Sequence, residues 1–99
     1  MEETIYFSNL YDYYGELLTE KQRNYFEEYY FQNLTLQEIS ENYQISRNAV
    51  HKQLKEVETK LEFYEQKLGL YTRYKELEEY LDKINDEKIK EEIKRIIWE

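Results

Sequence analysis

Cysteine and proline are absent from this 99-residue chain, glycine occurs only twice and histidine once. Without cysteine there is no disulfide, no thiolate nucleophile and no cysteine-based zinc site, and the composition suits a reducing cytoplasm. A single imidazole, His51, cannot complete the usual closed zinc set, so no metal site and no cofactor are expected. Without proline, and with glycine confined to Gly15 and Gly69, little interrupts helices, so an all-α chain with short turns is expected. No uncharged run approaches the roughly 20 residues that span a bilayer. The N-terminal MEETIYFSNLYDYYG carries two acids where a signal peptide carries basic residues. No membrane insertion and a cytoplasmic location are therefore expected. Positive charge is scarce as well: 14 Lys and Arg stand against 22 Asp and Glu, a formal net charge of −8. Long-range attraction to a polyanion is unfavourable, and any contact with nucleic acid must be local.

What the chain has in abundance is tyrosine, with twelve copies. Its flat apolar body and polar tip suit a core edge or an interface. Over residues 3–14, Ile5 and Leu10 with Tyr6, Phe7, Tyr11, Tyr13 and Tyr14 predict a short helix. Its aromatic surface exceeds what one face requires, which points to packing on a second surface, and Gly15 is its expected end. Thr19 and Gln22 have capping-box spacing, in which hydroxyl and amide satisfy orphaned backbone N–H groups, so a helix should start there. Tyr25, Phe26, Tyr29 and Tyr30 recur at helical spacing and are expected to be buried, with Gln32-Asn33 as the stop.

Thr35 and Glu38 repeat the capping box in TLQE, opening a helix of about two turns with Leu36, Ile39 and Tyr43 on one face. Gln44 and Ile45 form a turn with Ile45 inward, and Ser46 is a strong N-cap. Val50, Leu54, Val57 and Leu61 then mark the inner face of the next helix. The pattern is a helix-turn-helix preceded by its supporting helix, spanning Leu18 to Leu61. The motif sets the angle of its second helix so that residues near that helix's start face a groove. Here those residues are Arg47, Asn48, His51 and Lys52, followed by Lys55. Arg offers a bidentate fork to guanine or phosphate, Asn pairs with adenine, and Lys52 and Lys55 reach phosphates.

Apolar spacing continues through Tyr64 and Leu68 to Gly69, the expected C-cap. Leu70, Tyr74, Leu77, Leu81 and Ile84, and then Ile89, Ile93, Ile96 and Ile97 beyond Asn85-Asp86, mark two further helices. The expected division is a helix-turn-helix domain over residues 1–68, with a winged-helix-like tri-helical core, and an extended C-terminal helical arm over 69–99. Surplus apolar stripes on so short a chain favour a homodimer. The alternative is an arm folded back as a hairpin.

Catalysis is not expected. Ser8, Ser40 and Ser46 lack a recognisable base and orienting group, and no glycine-rich phosphate loop occurs. The acid pairs Glu27-Glu28, Glu78-Glu79 and Glu91-Glu92 point about 100° apart on a helix and read as solvated faces.

The combination YYG-x-LLT-x-KQR-x-Y, the L-x-EI segment and SR-x-AV resembles the YlxM family of small bacterial proteins over about residues 3–70. More distantly, the same stretch resembles the promoter-reading region 4 of sigma factors. The resemblance implies a regulatory helix-turn-helix protein of the signal recognition particle pathway. Its partners would be the particle's RNA or DNA, or alternatively the pathway's GTPase bound without nucleic acid. A sigma-like transcription regulator is the third reading. Gln44 departs from the general motif, since glycine commonly stands there and a left-handed backbone suits it. His51 occupies a position that is often aromatic in the family.

Overall fold

The computed structural model describes residues 2–98, among which there are six α-helices and no strand. They are α1 (Glu2–Tyr14), α2 (Glu20–Tyr30), α3 (Leu36–Tyr43), α4 (Arg47–Leu68), α5 (Leu70–Leu81) and α6 (Glu87–Trp98), with a 3₁₀ turn at Gly15–Leu17. The protein is all-α, and with no strand among the described residues the motif carries no wing. Two compact units are present, Met1–Gly69 and Leu70–Glu99.

The helix boundaries follow from local chemistry. Thr19 Oγ1 accepts from the Gln22 amide while Gln22 Oε1 accepts from the Thr19 amide, at 3.2 and 3.0 Å. Thr35 and Glu38 make the same reciprocal pair at 3.1 and 3.0 Å. Ser46 Oγ accepts from the Ala49 amide at 3.0 Å and opens α4. Gly69, at φ 63°, ends α4 through its N–H donating to the Glu65 carbonyl. Gly15 opens the 3₁₀ turn after α1 without a left-handed φ, and a Cβ there would meet the Tyr11 ring at 3.0 Å.

In the first unit, Val50, Leu54, Val57 and Leu61 are buried along α4, as the 3–4 spacing predicts. Tyr25 and Ile39 close on Val50 and Leu54, with Leu34, Leu36, Tyr43 and Ile45 packed around them. The core is larger than a three-helix motif needs, because α1 contributes Phe7, Leu10 and Tyr14 to it. Part of the aromatic surface of α1 therefore finds a cover within its own chain, while Ile5 and Tyr6 stay exposed. Phe26 is fully buried, with the Tyr11 ring stacked at 4.5 Å on one side and the Tyr30 ring at 4.2 Å on the other. Phe31 stands edge-on to Tyr11 and Phe26 at 5.6 and 5.7 Å. Tyr29 departs from expectation: it is 39% exposed, and so is Leu68 at 45%.

Four of the tyrosines meet four of the acids. Tyr11 donates its hydroxyl to Glu27, joining α1 to α2. Tyr43 donates to Glu28, joining α3 to α2, and Tyr30 donates to Glu58, joining α2 to α4. Tyr14 donates to Glu65 at 2.5 Å, tying α1 to α4. The reading of Glu27-Glu28 as a solvated face is thus corrected. The two carboxylates do point apart, but each meets a tyrosine hydroxyl from a different neighbouring helix. Such bonds to an ionised acceptor are stronger than neutral ones.

The same bonds set an alkaline limit. The hydrogen bond to Glu28, then burial, pushes Tyr43 from its ordinary 10.0 up to about 12. Tyr11 and Tyr30 are raised too, by burial first and then by Glu27 and Glu58. The folded state favours the neutral hydroxyl, so this stabilisation is complete below about pH 10 and is lost as pH climbs through about 12. Urea midpoints should be flat across pH 8–9.5 and fall above pH 10, and a Tyr43→Phe variant should fall less steeply.

Gln44 takes the left-handed backbone at φ 55°, ψ 42°, as the C-cap of α3. A side chain costs about 1–2 kcal/mol in that region. Glycine relieves this, offset in part by its greater freedom when unfolded. Gln44→Gly is expected to raise the unfolding free energy by about 0.5–1 kcal/mol, read as a higher urea midpoint with an unchanged m-value.

In the second unit, Leu81 is buried, Tyr74 and Trp98 approach at 5.6 Å, and Lys90 pairs with Asp82 at 3.7 Å. Asp86 caps α6 by accepting from the Lys88 and Ile89 amides. Ile84 falls in the turn between α5 and α6. Ile89 and Ile96, of the stripe that marks α6, are 52% and 69% exposed. No helix among the described residues is long and apolar enough to cross a membrane.

Candidate nucleic-acid interface

The five sequence-selected residues, Arg47, Asn48, His51, Lys52 and Lys55, all lie on the first half of α4 and are all exposed. Arg47, His51 and Lys55 follow one another at four-residue spacing, with Asn48 and Lys52 in the adjoining row. The strip is about 12 Å long at 1.5 Å per residue. It has this outward aspect because Val50, Leu54 and Val57 fix the opposite face of α4 in the core. Ala49 is half-buried beneath it.

The start of α4 is electrostatically unusual. Its first turn holds no acid, and Arg47 is its first residue. A cation there opposes the helix dipole, which favours negative charge at an N-terminus. For the helix alone the arrangement is mildly destabilising, whereas for an incoming phosphate the dipole and the guanidinium act together. No hydrogen bond or ion pair engages Arg47 or Lys52 among the described residues.

The five residues are not equivalent. Lys55 pairs with Glu58 at 3.4 Å, and that carboxylate is mostly buried and also accepts from Tyr30. Part of the Lys55 charge is therefore offset by an acid of its own helix. Lys60, further along α4, turns to Gln22 of α2 at 3.5 Å. The free cationic surface thus contracts toward Arg47 and Lys52. Glu58 was not singled out by sequence reasoning. Its i, i+3 spacing from Lys55 is readable, but its bond to Tyr30 is made across 28 residues of chain. A Glu58→Gln variant keeps an oxygen for Tyr30 and releases Lys55. Its affinity for a duplex probe is expected to rise about threefold, with a steeper salt dependence by about one.

Nothing among the described residues groups three or more His, Asp or Glu side chains as metal ligands. A shallow cleft of about 460 Å³ opens where Arg47 meets the α2–α3 connection, with Tyr29, Tyr30, Asn33 and Thr35 in its wall. Sequence reasoning did not find it, because its wall comes from segments separated along the chain.

A family described as "Putative helix-turn-helix protein, YlxM / p13 like" matches residues 1–98. A UPF0122 protein of Oceanobacillus iheyensis is 41% identical over 100 residues, covering 97% of this chain and 95% of the relative. One from a Thermoanaerobacter species is 49% identical over 83 residues, covering 84% and 71%. A Bacillus cereus relative is 37% identical over 102 residues, covering 98% and 93%.

Proposed function

The chain belongs to the YlxM/p13-like helix-turn-helix family, UPF0122, and on that premise we propose that it is a non-catalytic, regulatory nucleic-acid-binding protein of the signal recognition particle pathway. The pathway assignment rests on the family resemblance. The binding assignment rests on one observation: α4 begins with an exposed, unengaged cation and no acid, on a body of net charge −8. In this reading Arg47 and Lys52 anchor phosphates, with Lys55 a weaker third. Asn48 and His51 face base edges or ribose groups. A cytoplasmic setting accompanies this role.

The test is fluorescence anisotropy of signal-recognition RNA and of duplex DNA with rising salt. With two to three phosphate contacts, log affinity should fall against log salt with a slope of about −2 to −3. Binding indifferent to salt would count against the mechanism. A second reading draws on the same net charge: an acidic body suits docking on the pathway's GTPase without nucleic acid. Retention of that GTPase after nuclease treatment, with no RNA or DNA shift by the isolated chain, would favour it. Exposed Ile89, Ile96 and Trp98 of α6 suit a homodimer, which sedimentation at rising concentration would reveal.

A further inference from the structure

The cleft beside Arg47 has a composition that the recognition strip does not explain. Tyr29 is the most exposed aromatic ring of α2, 39% accessible, yet it sits on a helix whose other aromatic residues serve the core. Its neighbour Tyr30 is T-shaped to it at 5.3 Å, and both residues line the cleft. Asn33, held in the left-handed region at φ 58° just past α2, brings a side-chain amide to the same wall. Arg47, the first residue of α4, brings a positive charge to that wall.

A simple anion would use Arg47 alone and leave the aromatic ring and the amide of the wall without a role. The wall joins a cation to an aromatic ring and a side-chain amide. A nucleotide carries the matching groups: a phosphate, a flat base and a hydrogen-bonding base edge. Bases inside a duplex are stacked and cannot enter, whereas those of loops and single strands are free to do so.

Extending the nucleic-acid reading above, on which it rests, we propose that this cleft binds one unstacked nucleotide. Its base lies on Tyr29, its edge meets Asn33, and its phosphate meets Arg47. The protein then distinguishes a duplex with an unpaired loop from a continuous duplex, using the recognition strip for the stem and the cleft for the loop.

The experiment compares three probes by anisotropy: an RNA hairpin with an unpaired adenosine loop, the equivalent DNA hairpin, and a continuous RNA duplex. Wild type should bind the looped probes more tightly than the continuous duplex. Tyr29→Ala and Tyr29→Leu should each weaken looped binding about tenfold, since stacking on one aromatic ring is worth about 1–3 kcal/mol per base. Tyr29→Phe should retain it, and duplex affinity should be unchanged in all three. Tyr29→Leu keeps the apolar volume, and circular dichroism verifies that each variant folds. Equal binding of looped and continuous probes by wild type overturns this inference and leaves the duplex-binding function standing. Equal losses on all probes in Tyr29→Leu also overturn it. Binding to no probe overturns both. Preference between the RNA and DNA hairpins identifies which nucleotide the cleft accepts.

Discussion

Phe26→Ala is expected to cost the first unit about 3–5 kcal/mol, the range for deleting a fully buried aromatic side chain. The ring has no exposure and lies between Tyr11 and Tyr30 at 4.5 and 4.2 Å, nearly parallel to both. Its loss opens a cavity that neither neighbour can fill easily, because Tyr11 and Tyr30 are held by their hydroxyls on Glu27 and Glu58. A domain of this size shifts by about 4–8 °C per kcal/mol, so the melting temperature should fall on the order of 20 °C. Phe26→Leu should lose roughly half as much. A thermal melt of Phe26→Ala within a few degrees of wild type would show that the three-ring stack is not the centre of this core.

Arg47→Ala combined with Lys52→Ala should lower affinity for nucleic acid about 100-fold near physiological salt. Each charge-assisted contact is worth about 1.5 kcal/mol or more, and 1.4 kcal/mol is a factor of ten. The log–log salt slope should lose about two, one for each phosphate contact removed. Both side chains are exposed and outside the core, so the melting temperature should hardly change. A double variant that retains wild-type affinity and slope would move the interface away from the start of α4. Lys55→Ala makes a useful contrast. Because Glu58 already holds Lys55, that substitution alone should have a smaller effect than either of the others.

The helices and their ends were legible because their causes are local. Thr19, Thr35 and Ser46 cap through residues three positions away, and such spacing is visible in one dimension. The inner face of α4 was legible for the same reason, since helical periodicity places Val50, Leu54, Val57 and Leu61 on one side whatever covers them. The left-handed turn at Gln44 was less legible, because the residue departs from the glycine common there and yet takes that backbone. Margins were less legible. Tyr29, Leu68, Ile89 and Ile96 fit their stripes by spacing, yet burial depends on where the neighbouring helix stops.

By itself, then, the sequence determined an all-α chain with a helix-turn-helix, and it determined which side of α4 faces out, because backbone geometry and apolar spacing are properties of neighbouring residues. Only the tertiary structure decided how those outward residues differ. Lys55 is drawn back by a carboxylate that Tyr30 holds from another helix, and Arg47 borders a cleft walled by α2, while Lys52 is unengaged. It likewise decided that the acids of α2 are structural, by bringing tyrosines from α1 and α3 onto them. These are encounters between distant segments, and side-chain chemistry alone does not state who meets whom until the chain has packed.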